Sequence, residues 1–215
     1  MGIAKWIFAG VGVAAIGGIA AYAQYRDTEE PAYKTVIADK PFELRDYVPM
    51  IVAEVAHSGD RRRASGQSFR RLAAYIFAQD RPEGGERIAM TAPVMQSRVD
   101  QDQQIAMTAP VFEEPTENGE WRMRFVMPSR FTMATLPTPP DDITLVEVPS
   151  RRMAAVRFSG NASAADLAMM QARLGAWLEE QQLTPVGDYE YAFYDAPMVP
   201  GPVRRNEVLV EVAAE

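Results

Sequence analysis

Apolar and polar positions change period along this chain, and each change marks an element. Short β-type runs come first, Tyr33–Ala38, Phe42–Tyr47 and Met50–Ser58, punctuated by Asp39–Pro41 and Pro49. The period then becomes helical. In DRRRASGQSFRRLAAYIFAQ, Phe69, Leu72, Ala73, Ile76 and Phe77 fall at i, i+3, i+4, i+7 and i+8, which predicts one buried helix face. Asp60 is placed to cap this helix, and DRPEGG ends it. A phrase then occurs twice: IAMTAPV spans Ile88–Val94 and again Ile105–Val111. Each copy is a short apolar run stopped by proline, which predicts two antiparallel strands joined by the polar QSRVDQDQQ. EWRMRFVMPS alternates Trp121, Met123, Phe125 and Met127 against Arg122, Arg124 and Val126, a half-buried strand. LPTPPDD is a turn, and ITLVEVPSRRMAAVRFSG predicts two more strands.

A second helix follows, with Leu167, Met170, Leu174, Trp177 and Leu178 on one stripe and Ser163 and Asp166 at capping-box spacing. A strand with Tyr189, Tyr191 and Phe193 on one face comes next, then the irregular DAPMVPGP and the strand RRNEVLVEV. A longer repeat is present as well. Aligning Gly59 with Gly160 puts Val55 on Val156 and Ala53 on Ala154, each half reading strands, helix, strands. The expected class is α+β: an antiparallel sheet or distorted barrel with two helices and an approximate internal twofold. Grooves between such halves are places where small ligands bind.

The N-terminus is of another kind. Trp6–Tyr25 carries no charge and is rich in Gly and Ala, and about 20 residues at 1.5 Å each would cross a hydrocarbon core. Lys5 precedes it and the mostly acidic RDTEE follows, so the positive-inside rule puts the remainder of the chain outside. AYA at Ala21–Ala23 also satisfies the small-x-small pattern of a cleaved signal. Two outcomes stand: an inner-membrane anchor with the domain facing the periplasm or exterior, or secretion after cleavage near Ala23. The expected organisation is residues 1–25 as anchor or signal, 26–32 as linker and 33–215 as one domain.

Composition narrows the chemistry. The 215 residues are 47% apolar and 24% charged, a globular balance. A net charge of −7 argues against a general nucleic-acid binder, which needs clustered Lys and Arg. There is no Cys, hence no disulfide, no thiolate metal site and no covalent haem attachment through C-x-x-C-H. The single His57 excludes any site needing two His ligands from this chain.

PFELRDYVPMIVAEV, GDRRRASGQSFRRLAAYIF, IAMTAPV, WRMRFVMPS, RRMAAVRFSG and YDAPMVPGPVRRNEVLVEV, in that order, resemble the SOUL haem-binding protein family from about Glu30 to Val212. The resemblance implies a distorted antiparallel β-barrel with two long flanking helices, similar to effector-binding domains of the GyrI-like type. It also implies non-covalent binding of haem or another tetrapyrrole.

Several residues are candidates for the ligand. His57 carries the imidazole that commonly ligates haem iron, against the alternative of a structural His at a strand end. Arg61, Arg62 and Arg63 occupy the first helical turn, where the macrodipole disfavours cations; Arg70 and Arg71 follow, beside Phe69. Tetrapyrrole propionates would suit such arginines, and Arg204 and Arg205 of RRNEV are candidates on the same grounds. The alternative is a solvated face. Met90 and Met107, with other methionines, either line a soft pocket or fill the core. Glu207 and Glu211 alternate along the last strand, and burial would suit either to acid–base work. The leading expectation is an exported or membrane-tethered domain that carries, buffers or stores haem or a related tetrapyrrole. An enzyme using Glu207 or Glu211 in the same cavity, and a protein-binding scaffold at the membrane, are the alternatives. The duplicated IAMTAPV is expected to build a regular wall of the core or cavity, since two identical strands present matching faces and stop at matching prolines; a catalytic role is not expected, because its Thr has no adjacent base.

Overall fold

The computed structural model describes residues 28–99, 119–196 and 198–213. The hydrophobic segment Trp6–Tyr25, the second IAMTAPV copy and Met107 lie outside the described residues. Nine strands form one sheet: β1 (Tyr33–Asp39), β2 (Phe42–Tyr47), β3 (Met50–Ser58), β4 (Val94–Val99), β5 (Glu120–Val126), β6 (Thr144–Val148), β7 (Arg151–Phe158), β8 (Glu190–Phe193) and β9 (Asn206–Glu211). Their spatial order is β1-β2-β7-β9-β8-β4-β5-β3-β6, and every pairing is antiparallel. β1 and β6 are the two edges of a curled half-barrel.

Two helices cover one side of the sheet. α1 (Arg61–Ile76) packs on β3 and β5, and α2 (Ala164–Glu180) packs on β7 and β9. The repeat visible in the sequence is the origin of this symmetry. Ala53 and Val55 of β3 meet α1, whereas their counterparts Ala154 and Val156 of β7 meet α2. Alternation along each strand fixes which side chains reach the helices, because successive residues point to opposite faces.

Both helix starts follow from local chemistry. The Asp60 carboxylate accepts from the backbone N–H groups of Arg62 and Arg63, at 3.1 Å each. Ser163 and Asp166 form the reciprocal capping box: the Asp166 N–H donates to Ser163 Oγ at 3.2 Å and the Ser163 N–H donates to Asp166 Oδ2 at 3.0 Å. The predicted stripe of α2 is the buried one, Leu167, Met170, Leu174, Trp177 and Leu178. Full burial of a leucine such as Leu174 is worth about 1.5–3 kcal/mol.

Two expectations are corrected. The inner face of α1 is Ala64, Ser68, Leu72, Tyr75 and Ile76, so Leu72 and Ile76 point inward as expected, whereas Phe69 and Phe77 are 39% and 37% exposed. The helix is rotated because Tyr75 goes inward and its hydroxyl donates to the Pro137 carbonyl at 2.8 Å. The first IAMTAPV copy is also not a strand: regular pairing begins only at Val94. Ile88 is buried under α1 and its N–H donates to the Ile76 carbonyl, while Ala92 crosses to the other side of the sheet and its N–H donates to the Glu29 carbonyl. Pro93, which has no donor and follows a cis peptide, stands where the ladder starts.

Candidate functional site

Three regions gather chemistry. The first is the outer face of α1. Arg62, Gly66, Phe69, Arg70, Ala73 and Phe77 fall at i, i+4, i+7, i+8, i+11 and i+15, a single helical stripe that adjoins the buried face. Gly66 lies a turn before Phe69, Ala73 leaves low ground between the exposed rings of Phe69 and Phe77, and Phe69 is steadied by an edge-on contact with Phe125 at 5.4 Å between centroids. The exposed side chains of Arg62, Arg63 and Arg70 have no ion-pair partner among the described residues. The first turn of α1 contains no acid to compensate them. Their neighbours behave otherwise. Arg71 is held by Asp80 and Asp142. Arg61 donates to the Ala162 carbonyl at 3.0 Å and lies over the Phe193 ring, bridging the two halves of the domain.

The second region is a buried ionic network on the side of the sheet away from the helices. Arg45 is 2% exposed and Glu207 is 0% exposed. Arg45 Nη1 and Nη2 donate to the two Glu207 oxygens at 2.6 and 3.2 Å. Arg205 Nε adds 3.1 Å to Oε1, and the Tyr194 hydroxyl adds 2.9 Å to Oε2. Burial by itself would raise the Glu207 carboxyl, but the hydrogen bond and charge of Arg45, helped by Arg205 and Tyr194, outweigh it and hold the group below its ordinary value. Burial pushes the Tyr47 phenol up to about 12 against the opposing pull of Arg45. A second set runs across the same face: Arg151 holds Glu190 through two bonds of 2.6 and 3.0 Å, and Arg124 holds Glu54 at 2.9 Å and reaches Glu190 at 3.5 Å. Charges this deeply paired are costly to break, at about 3–5 kcal/mol when one partner is removed.

The third region is a cavity of about 780 Å³ at the end of the sheet where β3 begins and β5 and β6 finish. Its walls are apolar, with Met50, Ile51, Val126, Met127, Phe131 and Val148 among them. Among the described residues its polar lining consists of Glu29, Glu30, Glu147, Thr91, Ser129 and Thr132, with no Lys, Arg or His.

The residues singled out from the sequence fall in different places. Arg62, Arg63, Phe69 and Arg70 share the outer surface of α1. His57 lies under that helix, half-buried, with Nδ1 2.9 Å from the Ser68 hydroxyl. Met90 packs into the core beneath α1. Arg204 donates to the Val199 carbonyl at 2.7 Å and to Asn161, whereas Arg205 joins Glu207 and Glu30 and covers the Tyr194 ring at 3.6 Å. Glu207 is the centre of the buried network, and Glu211 is half-buried further along β9. None of them lines the cavity. Sequence reasoning missed Arg45, Tyr47 and Tyr194 as well as the cavity. In FELRDY the alternation of Glu43, Arg45 and Tyr47 was a signal that those three share one face, but an Arg on a strand reads as solvent-facing.

A curled antiparallel sheet with two helices on one side defines an α+β domain of SOUL type. The chain belongs to this family: the SOUL heme-binding protein family matches it over residues 28–211. No curated protein matches it significantly. Among solved structures it is similar to a hydrolase from Listeria innocua, with a TM-score of 0.53 and 10% identity over 83% of this chain and 94% of that one. It is also similar to the EcmrR C-terminal domain, with a TM-score of 0.57 and 12% identity over 85% of this chain and 99% of that one. EcmrR in its DNA complex gives a TM-score of 0.56 at 10% identity, over 99% of this chain and 69% of that one. At such identities the likeness is one of fold alone.

Proposed function

We propose that this domain binds haem or a related tetrapyrrole reversibly and non-covalently, with the macrocycle laid along the outer face of α1. The observation that carries the proposal is the exposed Arg62–Gly66–Phe69–Arg70–Ala73–Phe77 stripe. Two exposed rings with the small Ala73 between them suit the flat face of a macrocycle. Arg62, Arg63 and Arg70 suit its propionates, since guanidinium pairs with carboxylate through two parallel bonds. Ligand carboxylates would also supply the negative charge that the first turn of α1 lacks. Membership of the SOUL heme-binding protein family supports the ligand class. His57 packs on the inner side of α1 against Ser68, so the proposal assigns it no iron bond. Arg204 and Arg205 serve to hold the loop between β8 and β9, where Met198 and Val203 expose further apolar surface beside Asn161.

The role is carriage, buffering or storage. The domain acts outside the cytoplasmic membrane, tethered by Trp6–Tyr25 or released by cleavage near Ala23. What supports this location is the charge asymmetry of the N-terminal sequence, with Lys5 before the apolar segment and acids after it. Among the described residues no helix is long and apolar enough to cross a membrane.

A haemin titration of the full chain, followed in the Soret band, tests the binding site. One equivalent should saturate the wild type. The triple variant Arg62→Ala/Arg63→Ala/Arg70→Ala should weaken binding at least about tenfold, and Phe69→Ala should weaken it too, whereas His57→Ala should leave it unchanged. A titration without saturation, or one indifferent to the Arg and Phe substitutions, would overturn the α1 site.

A further inference from the structure

The connection between β8 and β9 contains APMVPGPV, Ala196–Val203, a stretch without a single charged, hydroxyl or amide side chain. Met198 is 85% exposed and Val203 61%, the two most exposed large apolar side chains among the described residues. One exposed apolar side chain is ordinary, but two on a loop with no polar side chain mark a contact surface. We infer that this loop is a membrane-contact element, with Met198 and Val203 entering the headgroup region of a bilayer. The inference rests on the proposed tethering of the domain by Trp6–Tyr25.

The loop holds these side chains out on a braced backbone. The Val203 N–H donates to the Pro200 carbonyl and the Arg204 N–H to the Gly201 carbonyl, at 3.0 Å each. The Gly160 N–H, from the turn before α2, donates to the same Gly201 carbonyl at 3.0 Å. Arg204 Nε donates to the Val199 carbonyl at 2.7 Å, and Val199 itself is buried as the foot of the loop. Prolines fix much of the remaining backbone, so little freedom is lost on docking. This bracing uses main-chain atoms and Arg204, and none of it requires positions 198 and 203 to be apolar.

The N-terminal linker is fastened to the same end of the sheet. The Ala92 N–H, before β4, donates to the Glu29 carbonyl at 2.9 Å. The Ser129 N–H, after β5, donates to the Glu29 carboxylate at 2.7 Å. Arg205 Nη1, before β9, donates to both Glu30 oxygens at 2.9 Å. Arg205 is two residues from Val203, so this last bond ties the linker to the loop. Tyr25 precedes Glu29 by at most about 14 Å of extended chain. A bilayer holding Trp6–Tyr25 therefore lies within a short linker of Met198 and Val203. Glu30 and Asp195 are both engaged by Arg205, through its guanidinium and its N–H, which offsets their repulsion of lipid phosphates. Two side chains fall well short of the roughly 800 Å² per partner of a stable protein interface. They are enough for a bilayer, because the tether holds the loop at high effective concentration beside it.

The chain has no Cys, so Met198→Cys places one nitrobenzoxadiazole label on the loop. Val186→Cys is the control: Val186 is 44% exposed, and its N–H donates to the Glu211 carbonyl at the far end of β9. The full chain is reconstituted into phosphatidylcholine–phosphatidylglycerol vesicles with and without lipid that carries a nitroxide on a shallow acyl carbon. The nitroxide should quench the label at position 198 by about twofold or more and leave the label at position 186 unchanged. Adding Val203→Asp should remove more than about half of that quenching without moving the thermal unfolding midpoint. Flotation of the same vesicles reads the tether separately. A chain that floats with its label at position 198 unquenched, quenched equally at both positions, or quenched regardless of Val203→Asp would overturn the loop contact and leave the tether standing. A chain left behind by the floating vesicles would overturn the tether and the loop contact with it.

Discussion

α1 and α2 occupy equivalent places on the sheet and are both capped by a side chain one residue before they begin, yet they present opposite surfaces to solvent. α2 turns outward mainly alanines, Ala165, Ala168, Ala172 and Ala176, with Met169 exposed among them and no exposed aromatic ring, and ends on Glu179 and Glu180. Its Asp166 sits in the first turn, where a negative charge is favoured by the helix dipole. Its outward cation, Arg173, is used locally, lying over the Phe42 ring and donating to the Met170 sulfur. α1 breaks each of these habits. It begins with three arginines, has no acid in its first turn, and exposes Phe69 and Phe77. Since both helices do the same structural work, the departure in α1 is not required by the fold. A local rule broken at one copy of a repeat and kept at the other points to a function carried by that copy.

The equivalence of the inner faces can be broken first, with the largest expected effect. Leu72→Ala and Leu174→Ala remove side chains that are each fully buried. Each should lower the unfolding free energy by about 2–5 kcal/mol in a denaturant titration. A loss confined to one of them would show that only one helix is an integral part of the core. The outer faces should separate the helices instead. Removing Arg62 and Arg70 should weaken haemin binding at least about tenfold, whereas Arg173→Ala should change it less than about twofold, since Arg173 already has partners. Equal responses would erase the distinction on which the α1 site rests.

The caps restore symmetry. Asp60→Ala and Ser163→Ala should each cost about 1 kcal/mol by chemical denaturation, because each leaves orphan N–H donors at a helix start. The smallest effect has the most diagnostic sign. Arg62→Glu/Arg63→Glu should raise thermal stability slightly, by about 0.3–1 kcal/mol per favourable charge, while abolishing haemin binding. A variant that lost stability would show that the arginines support the fold and not a ligand.

The legible part of the molecule was the part governed by short-range periodicity. The stripe of α2 is buried residue for residue as its spacing predicts. Strands β1 and β2 end where Asp39–Pro41 and Pro49 punctuate the sequence. The stripe of α1 was misread because periodicity counts every apolar residue as inward, and Phe69 and Phe77 are apolar but exposed. The first IAMTAPV copy has strand composition, but its residues divide between the α1 core, the opposite face and the cavity wall, so no regular ladder forms before Val94.

The sequence by itself determined the α+β class, the internal twofold, the two capped helices and the family, because all of these are written in neighbouring residues. Tertiary structure alone decided which charges are spent inside. Arg45 and Glu207 are 162 residues apart along the chain and meet only because β7 lies between β2 and β9. That meeting consumes Glu207 and part of Arg205, while Arg62, Arg63 and Arg70 stay exposed on α1. The cavity is likewise a product of assembly, since its walls come from the segment before β1, the starts and ends of three strands and the loop after β5. Local pattern carries no information about which distant segments will close a space, because that depends on how the sheet curls.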